Sequence, residues 1–134
     1  MSKTLRVLIV DDQPRARQSL QALLATKFQP LEMHEAANGA EAMKSVEEWL
    51  PDIVLMDARM PELDGIEATR RIKRQRPRLT VIVLSMYAEY KSDALAAGAD
   101  GFITKGEPPE RLLAVLGKAA GSTGESRVTD KRSL

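Results

Sequence analysis

The sequence holds 134 residues, 43% hydrophobic and 29% charged. That length suits one compact domain with a short tail and excludes a (β/α)8 barrel, and the composition lies outside the disordered and fibrous classes. With 20 basic against 19 acidic side chains the net charge is +1, so no whole-chain field draws nucleic acid or an anionic membrane, and any charge-based function must be local.

The cysteine count of zero removes disulfides, thiolate metal sites and cysteine nucleophiles. No apolar stretch approaches the length of a membrane span. The apolar start Val7-Leu8-Ile9-Val10 runs at once into Asp11-Asp12, unlike a signal peptide. A cytoplasmic protein with no membrane partner is expected.

In chain order, the first apolar run, Leu5 to Val10, predicts a strand. A helix follows behind Pro14 with Leu20, Leu23 and Leu24 on one face. The second run, Leu31 to Ala36, is broken by Glu32, His34 and Glu35 and reads as an edge strand. Ala40, Met43, Val46 and Leu50 are spaced for one face of a second helix ending at Pro51. A third strand, Ile53 to Met56, precedes a helix that starts near Gly65, buries Ile66 and Ile72 and stops at Pro77. The fourth strand, Thr80 to Ser85, leads to a helix over Ala88 to Ala97 capped by Gly98. The fifth strand, Gly101 to Thr104, leads past Pro108-Pro109 to a helix burying Leu112, Leu113 and Leu116 before Gly121.

The first, third and fourth runs are nearly continuous Val, Ile and Leu, as parallel strands covered on both faces require. The class is therefore α/β: a doubly wound (βα)5 unit, with right-handed crossovers placing helices on both faces of an open five-stranded parallel sheet. From Gly121 the apolar periodicity is lost, so residues 1–120 are expected to form the domain and 121–134 a linker or disordered tail.

Ligands of such sheets bind outside the carboxyl ends of the strands. Four ends carry polar groups: Asp11-Asp12, Asp57, Ser85 and Lys105. Each has a plain reading alone, with Asp12 a helix N-cap, Asp57 a turn residue, Ser85 a cap and Lys105 a solvated charge. Together they are less easily dismissed, because converging carboxylates repel by about 4 kcal/mol per close pair at an effective dielectric near 20. A divalent cation answers that repulsion. Mg2+ suits it, since it takes one or two carboxylates and keeps water and phosphate oxygens. With the cation and Lys105 in place, a carboxylate such as Asp57 becomes a nucleophile towards phosphorus, and Ser85 offers a hydroxyl donor to the phosphoryl oxygens.

Four motifs carry a resemblance: Val-Leu-Ile-Val-Asp11-Asp12; Ile-Val-Leu-Met-Asp57-Ala-Arg-Met60-Pro61-Glu-Leu-Asp64-Gly65; Val-Ile-Val-Leu-Ser85; and Gly98-Ala-Asp-Gly-Phe102-Ile-Thr-Lys105. In order over about residues 4–120, they resemble the receiver domain of bacterial two-component response regulators. The resemblance implies a flavodoxin-like sheet of order 2-1-3-4-5 and a phosphoacceptor signalling domain, not an enzyme. It implies Asp57 as phosphoacceptor and Mg2+ held by Asp11, Asp12, Asp57 and the backbone carbonyl of Arg59. Ser85 and Lys105 would contact the phosphoryl group, and Phe102 matches the aromatic switch position.

The implied partners are a sensor histidine kinase and, on phosphorylation, a second copy of the chain. The stretch Asp64-Gly-Ile-Glu-Ala-Thr-Arg70-Arg further resembles regulators whose separate C-terminal helix-turn-helix domain binds DNA, so that a changed receiver surface controls transcription.

Three positions depart from the family pattern. Met86 stands where a small residue usually follows the Ser/Thr, and its side chain is expected to crowd the phosphoryl pocket and slow traffic, unless it swings outward. Gly106 replaces a proline after the lysine, so that bond is expected to be trans. Phe102 replaces a common tyrosine and has no hydroxyl to bond. The alternative, a Mg2+-dependent phosphohydrolase with an aspartyl nucleophile, wants a second Asp two positions after the first, where Gln13 stands. The basic run Arg70 to Arg78 reads as a solvated helix face, and His34 as a structural or solvated group.

Overall fold

The computed structural model describes residues 4–132, with side chains described as far as residue 121. Strands β1 (Leu5–Val10), β2 (Leu31–Ala36), β3 (Ile53–Asp57), β4 (Thr80–Ser85) and β5 (Gly101–Thr104) alternate with helices α1 (Pro14–Ala25), α2 (Gly39–Trp49), α3 (Gly65–Gln75), α4 (Lys91–Ala96) and α5 (Pro109–Arg132). All pairings are parallel, in the order β2-β1-β3-β4-β5. This is the expected doubly wound flavodoxin-like sheet.

Successive strand residues face opposite sides of a sheet, and the register keeps like sides together. Leu8 aligns with Val54 and Val54 with Val81. These residues, with Val10, Met56, Val83 and Phe102, pack in one layer with Ala42 and Val46 of α2, Ala68 and Ile72 of α3 and Ala94 of α4. Val7, Ile9, Ile53, Leu55, Ile82, Leu84 and Ile103 pack on the other side with Leu24 of α1 and Leu112 and Leu116 of α5.

Helix termini explain several departures from the sequence expectation. Asp12 does not cap α1; the N-cap is Gln13, without a side-chain bond, and Pro14 opens the helix. On α2 the buried residues are Gly39, Ala42 and Val46, whereas Ala40 is exposed. Leu50 leaves that face altogether, because it forms the left-handed C-cap (φ 56°) and is 52% exposed, as Pro51 disfavours a right-handed helical residue before it. Trp49 packs on the core and stacks on His34, ring centroids 3.7 Å apart.

The fourth helical segment begins as a 3-10 turn, Ala88–Tyr90, so α4 itself is short. It ends in a Schellman motif: Ala99 N–H donates to Ala94 and Gly98 N–H to Leu95, with Gly98 at φ 103°. Helix α5 continues past Gly121 to Arg132. An apolar stripe marks where a helix packs, whereas its backbone bonds are local and need no stripe to continue.

The basic run spends its charge locally. Arg70 and Arg71 pair with Glu67, while Lys73 Nζ donates to the Pro77 and Leu79 carbonyls and to Asp100.

Candidate phosphoryl and metal site

Register brings the strand ends to one rim. Val10 aligns with Met56, so Asp11 stands level with Asp57; Asp57 aligns with Leu84 and Leu84 with Ile103, which puts Ser85 one residue and Lys105 two residues beyond that level. Asp11, only 1% exposed, is held from both ends. Its N–H donates to the Ala36 carbonyl, and its Oδ1 accepts from the Gln13 N–H at 2.9 Å, closing a tight turn.

Lys105 Nζ donates to Asp11 Oδ2 at 2.9 Å and lies 3.1 Å from Asp57 Oδ1. One ammonium thus bridges two strand ends. Lys105 N–H also donates to the Ser85 carbonyl at 2.7 Å, continuing the ladder between β4 and β5. Among the described residues the cis peptide bond is Gln29–Pro30, so Lys105–Gly106 is trans as expected.

Asp11, Asp12 and Asp57 each present a carboxylate oxygen within 4.8 Å of the others. Burial pushes the Asp57 carboxyl above its ordinary range; the Lys105 charge opposes this, and the charges of Asp11 and Asp12 reinforce it. For Lys105, burial works against the ammonium, but its hydrogen bond to Asp11 and the charge of Asp57 outweigh that and raise its pKa. Three carboxylates against one lysine leave the pocket short of positive charge. Hard oxygen donors in that deficit are the donor set a Mg2+ ion takes, so the residues present fit the cation. Asp11, Asp12 and Asp57 would hold it.

The other expected site residues are placed differently. Ser85 is buried at the rim, and its Oγ accepts from the Tyr87 N–H at 3.0 Å, which leaves its own proton uncommitted among the described residues. Arg59, expected to act through its backbone carbonyl, directs its guanidinium elsewhere, over the Tyr90 ring at 5.4 Å and onto the Tyr90 hydroxyl. Phe102 is buried in the core layer. Met86 is 63% exposed, so of the two readings the sequence allows it takes the outward one and does not crowd the pocket; the Tyr87 N–H bonds back to Ser85 Oγ across it.

Gly65, which the sequence marks as a helix start, is the tightest point of the site. A Cβ on it would fall 1.7 Å from the Asp57 carbonyl oxygen, because Gly65 N–H donates to Ala58 and draws α3 onto the end of β3. Asp64 caps α3 by accepting from the Glu67 N–H at 2.8 Å. The sequence signal, Asp-Gly followed by Glu at the capping-box spacing, was there to find.

The family model for the response regulator receiver domain matches residues 7–117. The chain belongs to the response regulator receiver family. Among curated relatives of this receiver domain, the uncharacterized transcriptional regulatory protein YhcZ of Bacillus subtilis (strain 168) is 40% identical over 111 residues, 81% of this chain and 52% of that protein. The response regulator protein VraR of Staphylococcus aureus (strain Mu3 / ATCC 700698) is 36% identical over 125 residues, 92% of this chain and 59% of that protein. The receiver domain thus spans about half the length of the curated relatives it matches.

Among solved structures, a CheY-like receiver domain from Methanospirillum hungatei JF-1 superposes with a TM-score of 0.84 at 27% identity, covering 92% of this chain and 99% of that one. The response regulator TrrA of Thermotoga maritima, solved with Mg2+ and BeF, gives 0.79 at 30% identity, covering 86% of this chain and 98% of that one.

Proposed function

We propose that this receiver domain takes a phosphoryl group on Asp57 from a sensor histidine kinase, in a Mg2+-dependent step, and that the acyl phosphate changes its surface to control transcription. The observation that carries this reading is the ion pair of Lys105 with Asp57 at 3.1 Å inside the cluster with Asp11 and Asp12. An Asp57 oxygen attacks phosphorus as the donor's bond to phosphorus breaks, and the departing imidazole keeps the bonding pair. Lys105 moves from carboxylate to phosphoryl oxygen with little travel, and the uncommitted Ser85 proton donates to a second oxygen. Asp11, Asp12 and Asp57 with the Arg59 carbonyl would hold Mg2+, which would supply charge neutralisation on the phosphoryl oxygens.

Phe102, in register with Val83 and buried in the same core layer as Ala58, is the ring that would repack when the rim is filled. The switch is a population shift, with the phosphoryl group binding one packing better than the other. The relatives that carry a transcriptional description support a transcriptional output; to it the proposal adds a separate C-terminal DNA-binding domain following residues 121–134 and a phosphorylation-dependent homodimer in the cytoplasm. A phosphohydrolase is not favoured, given the family.

Intact-mass spectrometry after incubation with a small acyl phosphate tests the reading. One phosphoryl adduct is expected with Mg2+ and none with a chelator; an adduct that persists in chelator would overturn the metal dependence. Met86→Ala is expected to leave the rates of adduct formation and decay within about twofold of the parent, since an exposed side chain removes no volume from the pocket. Acceleration of both rates on that substitution would restore the gate.

A further inference from the structure

We infer that Arg17 is a positioning residue for the acidic pair, clamping the peptide plane between Asp11 and Asp12 so that the Asp12 carboxylate is aimed into the cluster. The inference rests on reading that cluster as the Mg2+ and phosphoryl site. Asp12 is the weakly anchored member of the three. Asp11 is tied to Lys105 and Gln13, and Asp57 to Lys105, whereas among the described residues no hydrogen bond or ion pair holds the Asp12 side chain. Its aim is therefore set by its backbone, and the carbonyl that defines the orientation of the preceding peptide is that of Asp11.

Arg17 donates from a terminal guanidinium nitrogen to that carbonyl at 2.7 Å and from Nε to Glu35 Oε1 at 2.7 Å. The guanidinium fork is planar and rigid, so two bonds in different directions fix it as a brace. One end of the brace is the last turn of the edge strand, where Glu35 aligns with Ile9 of β1. The other is the turn carrying both aspartates. The Arg17 side chain is only 16% exposed, and the hydrogen bond from Arg17 holds the Glu35 carboxyl below the ordinary carboxylate range, with Gln21 adding a second bond. Because Glu35 neutralises Arg17, the brace adds little net charge beside the site. Its effect is on geometry: rotation of the Asp11–Asp12 peptide would swing the Asp12 Cβ off the cluster.

Partners that orient metal ligands contribute about 10- to 100-fold in metal affinity. The test is an NMR titration of the whole 134-residue chain with MgCl2 alone, following the Asp12 and Gln13 amides. Arg17→Ala is expected to raise the half-saturating Mg2+ concentration about tenfold or more, and Arg17→Lys, which keeps a cationic donor but not the rigid fork, by an intermediate factor. Leu23→Ala, on the same helix and partly buried against the core layer of Val7, Ile9 and Leu24, is the control for loosened packing and should leave half-saturation within about twofold.

An Arg17→Ala value within about twofold of the parent overturns the inference. So does an equal shift in Leu23→Ala, which would make the role merely structural. Should Arg17→Ala not fold, Arg17→Lys decides, and a parent-like half-saturation overturns the inference. A parent chain with no saturable Mg2+ shift overturns the site reading and this inference with it; a normal parent titration with unmoved Arg17 variants overturns the inference alone.

Discussion

Asp57→Asn is expected to abolish the phosphoryl adduct while leaving the protein folded and, in chelator, more stable than the parent. The amide keeps the size of the carboxylate but presents no anionic oxygen to phosphorus, and Asp11, the other buried carboxylate of the cluster, is committed to Lys105 and Gln13. Stability should move the other way from function. Burial and the charges of Asp11 and Asp12 raise the Asp57 pKa in the folded chain. The folded state then binds more protons than the unfolded state in the window above the unfolded pKa, and stability falls as pH rises through it. At neutral pH the ionised carboxylate is therefore a net cost of folding, and a neutral side chain of the same shape removes it. Urea denaturation of both proteins in chelator at pH 7, with intact mass after exposure to a small acyl phosphate, checks both parts. An adduct on Asp57→Asn would move the acceptor elsewhere, and a lower denaturation midpoint would mean that the Lys105 pair outweighs the burial of Asp57.

The largest structural effect is expected at Gly65. An alanine Cβ would lie 1.7 Å from the Asp57 carbonyl oxygen and 2.8 Å from its carbonyl carbon, and both are backbone atoms of a buried strand between two neighbours, so no side chain can rotate out of the way. Overpacking costs about 1–3 kcal/mol and occasionally more; Gly65→Ala belongs at or above the top of that range, about 3 kcal/mol. The relief available is to push α3 off β3, which moves the carbonyl side of Asp57 and with it the acceptor. A displacement of about 1 Å at a reacting group costs on the order of a hundredfold in rate, so the surviving folded fraction should also be phosphorylated about that much more slowly. Gly106→Ala, where a Cβ meets nothing within 4 Å, should change stability by less than about 0.5 kcal/mol, and Gly117→Ala, equally open but inside α5, should stabilise by about 0.5–1 kcal/mol. Urea denaturation and single-turnover adduct formation would read both quantities. A Gly65→Ala protein within about 1 kcal/mol of the parent would show that the strand and helix do not approach as closely as described.

Both effects concern one rim of the sheet, and its parts were unequally visible in the amino-acid sequence. Continuous Val, Ile and Leu in the runs ending at Val10, Met56 and Leu84 made parallel strands covered on both faces legible, because local patterning reports burial directly. The chemistry at their ends was legible for the same reason: once the strands are parallel, Asp11, Asp12, Asp57, Ser85 and Lys105 stand at one edge whatever the loops do. What tertiary structure decided was how each end is held. Lys105 bonds Asp11 across 94 positions of sequence separation, Arg17 spans the acidic turn and the edge strand, and Gly65 is required by the distance between α3 and Asp57. Spacing along a chain carries no record of such distances. Helix ends were misplaced for a related reason. Leu50 matches the apolar spacing of α2 but serves as its left-handed cap, and α5 continues beyond its apolar stripe. Periodicity tells which residues a helix buries; backbone geometry, settled by proline, capping and neighbouring strands, tells where the helix stops, and Met86 faces solvent at a turn where the Tyr87 N–H bonds back to Ser85 Oγ.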